Sequence, residues 1–257
     1  MRNLAEIKPE FKKHVNNFLN DHKAFKFLLF DIFVEGTAYI VGGYFRDFLF
    51  HRKSRDLDII VDLPNSVLME KVTASGIEFK VNRHNGIKLR LEDFEVDMWS
   101  LENNWAFKEK LVKLNQEDKI HSIVKGCFYN YDALAINLHS FNFNIQYFNN
   151  FLKTGTLDIL QENSFYKNLN PTTEANILRA FYIQKTTGAT FSDNVKIYLL
   201  KKLGQLADTS NSSISRLQEV KTKYPKYDNT LKDLDIYIMS HEIIKGIVYK
   251  KQFYLDL

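Results

Sequence analysis

Two aspartates that alternate along one short segment are the first residues whose spacing suggests chemistry. Asp56 and Asp58 flank Leu57 in a run whose alternation predicts a strand over 57–62. Side chains two positions apart on a strand point to the same face, so the two carboxylates are expected side by side. Such a pair repels unless a cation lies between the two groups, and its oxygens suit Mg²⁺. Taken alone, the pattern is more often an exposed strand end.

A third carboxylate lies farther along the chain in another alternating segment. Asp97 falls within 95–99, which reads as a later strand of the same domain. If this strand neighbours that of Asp56 and Asp58, three acids share one face, an arrangement typical of a two-metal site for phosphoryl transfer. One Mg²⁺ would activate an attacking hydroxyl, and the other would hold a triphosphate and its leaving pyrophosphate. Glu95 alternates onto the face of Asp97 and is a competing candidate.

A pair of glycines precedes these acids. Gly42 and Gly43 separate a predicted strand over 38–41 from a predicted helix over 44–50. Without Cβ atoms, their backbone allows close approach of a ligand, and the N–H groups at a helix N-terminus attract phosphate. For a lone Gly-Gly, an ordinary strand-to-helix turn is the simpler reading.

The elements that must position these residues follow from hydrophobic periodicity. The fold class is α+β (α/β), with a mixed or antiparallel sheet flanked by helices and followed by an all-helical domain. The head domain is expected over 1–150, opening with a helical segment over 1–34, and the helical domain over 151–257. The other expected strands are 77–81 and 87–91, and the other expected helices are 66–75, 104–116, 173–187, 195–203, 214–222 and one or two within 231–248.

Composition narrows the function classes. The formal net charge is only +4, which excludes a strongly cationic coat. Lys+Arg and Asp+Glu balance over 1–150, so the excess positive charge lies after residue 150. That excess weakly suggests a polyanionic partner, although a solvated lysine-rich helical surface is the simpler reading. The single cysteine, Cys127, fits a reducing compartment, and no apolar run is long enough to span a membrane. A cytoplasmic protein is expected.

The segment as a whole resembles a known family. Eight positions match at fixed spacing the head-domain signature of the class II CCA-adding tRNA nucleotidyltransferases and bacterial poly(A) polymerases, which belong to the DNA polymerase β-like superfamily. These positions are Gly42, Gly43, Arg46, Asp47, Leu49, Arg52, Asp56 and Asp58. Three later features agree in order: Asn85-Gly86, the segment 131–137 and the segment 177–183.

The resemblance implies roles for the acids and glycines. Asp56 and Asp58 would bind two Mg²⁺ ions, and Asp97 would be the third acid, near the attacking 3′-hydroxyl. Gly42 and Gly43 would hold the triphosphate of an NTP through their backbone. The helical part after residue 150 would be the neck domain of the family.

It also implies roles for charged neighbours. Arg46 would neutralise phosphate charge, with Asp47 orienting it. Arg52 is a weaker phosphate candidate, since a solvated turn charge explains it as well.

Departures from the family concern recognition of the ribose and the base. Where the family has an Arg-Arg-Asp motif, this chain has 126–128, which is Gly-Cys-Phe. Where the family reads the base with an Asp and an Arg, this chain has Thr173 and Asn176. Asn176 can still pair with a base edge, but the charged, bidentate reader is missing. Arg179 remains as a nucleotide-binding candidate, or alternatively as a packing arginine.

Three functions therefore stay open. The first is transfer of an NMP from an NTP to an RNA 3′ end, with release of pyrophosphate. The second is the same chemistry on a protein or small-molecule acceptor, as in a toxin or defence system. The third is a catalytically inactive RNA-binding module, against which the retention of all three acids argues, because unused clustered carboxylates only reduce stability.

Overall fold

A computed structural model describes residues 4–82, 84–161 and 172–207, together with residues 217, 219, 227 and 230. The chain divides into two compact units, Met1–Asn150 and Phe151–Leu257. The helices expected over 214–222 and within 231–248 lie outside the continuous described ranges.

A single mixed sheet organises the first unit. Its seven strands are β1 (Ala38–Val41), β2 (Asp56–Val61), β3 (Phe79–Val81), β4 (Ile87–Leu91), β5 (Phe94–Ser100), β6 (Ala135–Asn137) and β7 (Phe143–Asn144). They are arranged in the order β3-β4-β5-β2-β1-β6-β7, with β2 and β5 parallel and the other neighbours antiparallel. All five expected strands are confirmed, and β6 and β7 are additional.

The helices expected in the first unit are confirmed with one exception, and two further helices were not expected. Up to residue 154 they are α1 (Leu4–Asp21), α2 (Lys23–Glu35), α3 (Tyr44–Leu49), α4 (Asn65–Ala74), α5 (Trp105–Lys108), α6 (Lys119–Lys125) and α7 (Gln146–Thr154). The expected helix over 104–116 is wrong beyond Lys108. Lys110 adopts a left-handed φ of 56°, and the N–H groups of Leu111 and Val112 both donate to the Ala106 carbonyl. This turn folds the chain back and ends the helix.

A row of buried side chains crosses the centre of the sheet. Ile40 lies opposite Ile59, Ile59 opposite Met98, and Met98 opposite Ile87, and each is at most 1% exposed. Full burial of each such side chain contributes about 1.5–3 kcal/mol. Because strand side chains alternate, a slip of one residue would turn the whole row to the other face, so this row fixes the register of the four strands.

An aromatic cluster attaches α1 to the sheet side of α3. The fully buried Phe11 ring lies edge-on to Phe45, Phe48 and Phe143, with centroid distances of 4.9, 5.1 and 5.9 Å. Buried aromatic pairs of this geometry are among the stronger packing contacts. The N-terminal helix therefore holds in place the short helix that follows Gly42 and Gly43.

The second unit contains two long helices within its described residues. The expected helix over 173–187 is confirmed as α8 (Thr173–Thr187), and α9 spans Asp193–Ala207. Thr172 Oγ1 accepts the Ala175 N–H as the N-cap, and Gly188 ends α8 at a left-handed φ of 71°. The expectation of an all-helical domain is wrong at one point, because β8 (Thr156–Leu157) and β9 (Thr190–Phe191) form a parallel two-stranded ladder.

The helices were also compared with the requirements of a membrane span. Among the described residues, no helix is both long enough and apolar enough to cross a membrane.

Candidate active site

Four carboxylates occupy one face of the two central strands, which we call the acid face: Asp56 and Asp58 on β2, and Glu95 and Asp97 on β5. In the parallel pairing, Asp58 lies directly opposite Asp97 and Asp56 directly opposite Glu95. The intervening Leu57 and Val96 are buried on the other face. The expected adjacency of the two acidic strands is therefore confirmed, and alternation about a buried core explains it.

Gly42 makes room for one of these carboxylates. It follows β1 with a left-handed φ of 72°, and Val41, its neighbour, lies opposite Asp58. A Cβ atom built at Gly42 would overlap the Asp58 carboxylate. The first glycine is thus required both by backbone conformation and by close approach of a site side chain. Gly43 differs, because its φ of −83° is ordinary and a Cβ there would meet atoms only at 3.8 Å.

A lysine from β4 is bound to the acid face. Lys88 lies opposite Asp97 in the antiparallel pair of β4 and β5. Its Nζ is 2.8 Å from Glu95 Oε2 and 3.4 Å from Asp97 Oδ2. Burial alone would lower the pKa of Lys88, but the Glu95 hydrogen bond and the Asp97 charge outweigh it and raise the pKa. The same hydrogen bond lowers the pKa of Glu95. The Lys88 amine therefore stays protonated at neutral pH.

Asp56 has its own cation from the adjacent residue. Arg55 Nη2 and Nε donate to Asp56 Oδ2 at 2.6 and 3.0 Å. The Arg55 side chain is 80% exposed, so this pair faces solvent and contributes little to stability. The two predicted metal ligands at the ends of the acid face, Asp56 and Asp97, are thus both held by side-chain cations.

The surroundings of Asp97 raise the pKa of its carboxyl. Burial, above all, raises the pKa of its carboxyl, and the charges of Asp56 and Glu95 raise it further, while Lys88 partly opposes them. A carboxylate with a raised pKa takes up a proton more readily at neutral pH. Perturbation of this kind, on a face that carries four acids, is characteristic of functional sites.

The carboxylates fit Mg²⁺ in a limited sense. Mg²⁺ commonly takes one or two protein carboxylates and completes its shell with phosphate and water. The facing pair of Asp58 and Asp97 can supply those carboxylates. Within the described ranges, no three or more His, Cys, Asp or Glu side chains form a group that could hold a metal ion. Of the expected ligands Asp56, Asp58 and Asp97, the first forms an ion pair with Arg55 and the third forms one with Lys88.

Arg46 has a different partner from the one expected. Its guanidinium is 3.1 Å from Asp132 Oδ1, donates to the Tyr131 carbonyl at 3.2 Å and stacks over the Tyr131 ring. The residue is 7% exposed, and the carboxylate of Asp47 instead accepts the Ser54 hydroxyl at 3.0 Å. Arg46 therefore connects α3 to the segment before β6, and Asp47 braces the loop before β2.

The remaining nucleotide-binding candidates are dispersed. Arg52 is exposed in the loop after α3, with its guanidinium 5.4 Å from the Phe50 ring centre. On α8, Asn176 is 3% exposed, and its Nδ2 donates to the Thr172 carbonyl at 2.9 Å. Arg179 lies two turns from the start of the same helix and is half-buried. Within α8, the Asn176 amide is engaged with its own first turn.

Sequence reasoning missed four contributors: Arg55, Lys88, Asp132 and Ser54. Lys88 had a detectable signal, because the two-residue turn at Glu92-Asp93 joins β4 to β5 as a hairpin, and alternation then places every second residue of β4 on the acid face. Asp132 had no local signal, since its partner lies 86 positions earlier in the chain, on α3.

Comparison with known proteins agrees with this geometry. The family model described as the poly A polymerase head domain matches residues 38–140, which contain both acidic strands and the Gly-Gly turn. This segment is therefore similar to a poly A polymerase head domain. No curated protein matches the chain.

Several solved structures have a fold similar to that of this chain over most of its length. A Thermotoga maritima CCA-adding enzyme complexed with tRNA is 18% identical, with a TM-score of 0.56, over 84% of this chain and 47% of that one. An apo CCA-adding enzyme is 20% identical, with a TM-score of 0.60, over 91% and 54%. A CCA-adding enzyme with CTP is 20% identical, with a TM-score of 0.52, over 88% and 57%. The chain thus spans about half the length of these structures.

The Gly42 contact predicts a specific stability defect in the head domain. Gly42→Ala should lower the free energy of unfolding by about 3 kcal/mol, because it combines left-handed strain with displacement of Asp58. Gly76→Ala is the matched control, since Gly76 has a φ of 68° and open space around it, and it should lose only about 1 kcal/mol. Urea denaturation measures both. In an Asp58→Ala background, Gly42→Ala should cost no more than Gly76→Ala; an undiminished loss would contradict the contact.

The buried Arg46 predicts a second defect. Arg46→Ala removes a buried guanidinium and its ion pair with Asp132, and it should reduce the free energy of unfolding by roughly 2–3 kcal/mol. Arg52→Ala, at an exposed position in the loop after α3, should change it by less than about 0.5 kcal/mol. Equal, small losses in urea denaturation would show that Arg46 has no structural role.

Proposed function

We propose that the chain is a nucleotidyltransferase that moves an NMP from an NTP to the 3′-hydroxyl of an RNA and releases pyrophosphate. The observation that carries the proposal is the facing pair of Asp58 and Asp97 on the parallel strands of a segment that resembles a poly A polymerase head domain. Carboxylates placed side by side on adjacent strands suit metal-dependent phosphoryl transfer.

Asp56, Asp58 and Asp97 are the residues that would hold Mg²⁺, and the expected number of ions remains two. Bound Mg²⁺ neutralises phosphate charge and lowers the pKa of a coordinated hydroxyl. Gly42 leaves space for the Asp58 carboxylate, so it keeps that ligand in position. The Gly42–Gly43 backbone and the exposed Arg52 are the proposed contacts of the triphosphate.

Asp97 is the proposed acceptor of the proton that the attacking hydroxyl loses. Its carboxyl has a raised pKa, chiefly through burial, and a raised pKa makes a carboxylate a better proton acceptor than an unperturbed one. In the proposed step, the acceptor oxygen forms a bond to the α-phosphorus, and the bond from that phosphorus to the pyrophosphate oxygen breaks. The acceptor proton passes to an Asp97 carboxylate oxygen, and pyrophosphate leaves with its electron pair.

Structures similar to this chain support the substrate classes. CCA-adding enzymes with the same fold were solved in complex with tRNA and with CTP. Positive charge in excess after residue 150 is consistent with an RNA partner. An NTP and an RNA 3′ end are therefore the proposed substrates of this chain.

One observation favours a second acceptor class. The base-reading position Asn176 is 3% exposed, and its amide donates to Thr172 within α8. A residue that reads the base has to present its amide to the nucleotide. The buried amide of Asn176 therefore weakens the case that this chain selects its NTP in the manner of the CCA-adding enzymes. Transfer to a protein or small-molecule hydroxyl, as in a toxin or defence enzyme, is the alternative.

The catalytic proposal predicts strong loss on changing one acid. Asp58→Asn should lower Mg²⁺-dependent pyrophosphate release at least about a hundredfold, since it removes a ligand charge from the reacting centre. Asp93→Asn, in the exposed turn between β4 and β5, is the matched control and should retain wild-type rates. A coupled pyrophosphate assay with each NTP measures both. Wild-type protein that binds RNA but releases no pyrophosphate with any NTP and acceptor would identify an inactive RNA-binding module.

The acceptor is tested in cell lysate. Incubation with each α-labelled NTP should give a labelled band that disappears after RNase treatment and survives protease treatment. A band with the opposite sensitivity would establish a protein acceptor and overturn the RNA assignment. The Asp58→Asn protein in the same lysate supplies the background.

A further inference from the structure

Lys88 lies in the same cross-strand row as two of the proposed metal ligands. The pairing registers place Asp58 opposite Asp97, Asp97 opposite Lys88, and Lys88 opposite Lys80. Directly opposite residues of neighbouring strands share a face. The row therefore consists of two aspartates followed by two lysines across the sheet. The ammonium of Lys88 therefore lies next to the carboxylate that a divalent cation needs.

The contacts of Lys88 are directed at the acid face. Nζ is 2.8 Å from Glu95 Oε2 and 3.4 Å from Asp97 Oδ2, so one ammonium bridges both acids of β5. The Asp97 side chain is 17% exposed, whereas those of Lys88 and Glu95 are 42% and 52% exposed. An exposed ion pair is a weak source of stability, but a cation beside a largely buried carboxylate strongly affects any other cation that binds there.

We propose that Lys88 neutralises Asp97 and Glu95 as long as no metal ion is bound, and that a divalent cation must displace the Lys88 ammonium to coordinate Asp97. This role makes Lys88 a positioning residue, which acts through Asp97 and tunes how strongly the third acid takes part in metal binding. The inference rests on the proposed function for its biological meaning, but not for its test.

Removal of the competing ammonium should strengthen metal binding. Lys88→Met keeps the aliphatic stem and removes the charge, and we expect it to bind Mn²⁺ about three- to tenfold more tightly than wild type, because a partly exposed ion pair no longer has to be broken. Titration of the whole chain with Mn²⁺, followed by the loss of the free-ion electron paramagnetic resonance signal, measures this directly. Lys88→Gln is a second neutral variant, and a circular dichroism melt confirms that each variant is folded.

Matched variants separate displacement from a general charge effect. Lys80→Met removes the same charge from the exposed neighbouring position of the row and should leave the Mn²⁺ affinity within about twofold of wild type. Lys88→Arg keeps the charge and should also stay within about twofold. In an Asp97→Asn background, Lys88→Met should give no tightening, because the ligand for which the lysine competes is gone.

Each result decides the proposal. Unchanged Mn²⁺ affinity in both neutral variants, equal tightening by Lys80→Met, tightening that persists without Asp97, or absence of Mn²⁺ binding would overturn it. The readout does not depend on catalysis. If the Mn²⁺ pattern is found but no NTP yields pyrophosphate, only the proposed function fails. If pyrophosphate is released and the variants bind Mn²⁺ alike, only the role of Lys88 fails.

Discussion

The parallel pairing of β2 and β5 is the constraint on which the site depends. On one side of these strands, Ile59 and Met98 belong to a row of fully buried side chains, and on the other side Asp58 faces Asp97. Because side chains alternate, the register that aligns the apolar row also aligns the acids. The carboxylates repel each other, and the burial of apolar side chains beneath them offsets this repulsion. The packing of the core therefore fixes the register of the two strands, and that register in turn fixes the positions of the acids.

Much of this arrangement could be predicted from the sequence, because it is local. Alternation located all five expected strands, and the Asp-x-Asp spacing identified the acid face before its neighbours were known. The register between β4 and β5 was not predicted. It brings Lys88 opposite Asp97, and it follows from the two-residue turn at Glu92-Asp93, where Glu92 adopts a left-handed φ of 49°. A cross-strand pair of this kind joins side chains that periodicity treats independently.

Arg46 shows the other limit of sequence reasoning. Its position after the Gly-Gly pair suggested contact with phosphate, and residue type alone agrees with that role. The structure instead gives it Asp132 and the Tyr131 ring, which lie far along the chain. A buried guanidinium requires a partner, and the sequence does not reveal which distant carboxylate folds against it. The segment 131–137, which the sequence identified by resemblance alone, thus has a structural task in supporting α3.

The Gly42–Asp58 contact joins the two halves of the motif into one physical unit. The glycine and the acid are separated in sequence by α3 and a loop, yet the antiparallel pairing of β1 and β2 places Val41 opposite Asp58. The next residue must then turn with a positive φ and leave space for the carboxylate, and only glycine does both without strain. The connection between them has to be long enough for α3 and for the Ser54–Asp47 hydrogen bond that closes the loop. The fixed spacing of the glycines and the acids therefore follows from the geometry of the sheet, whichever acceptor the chain uses.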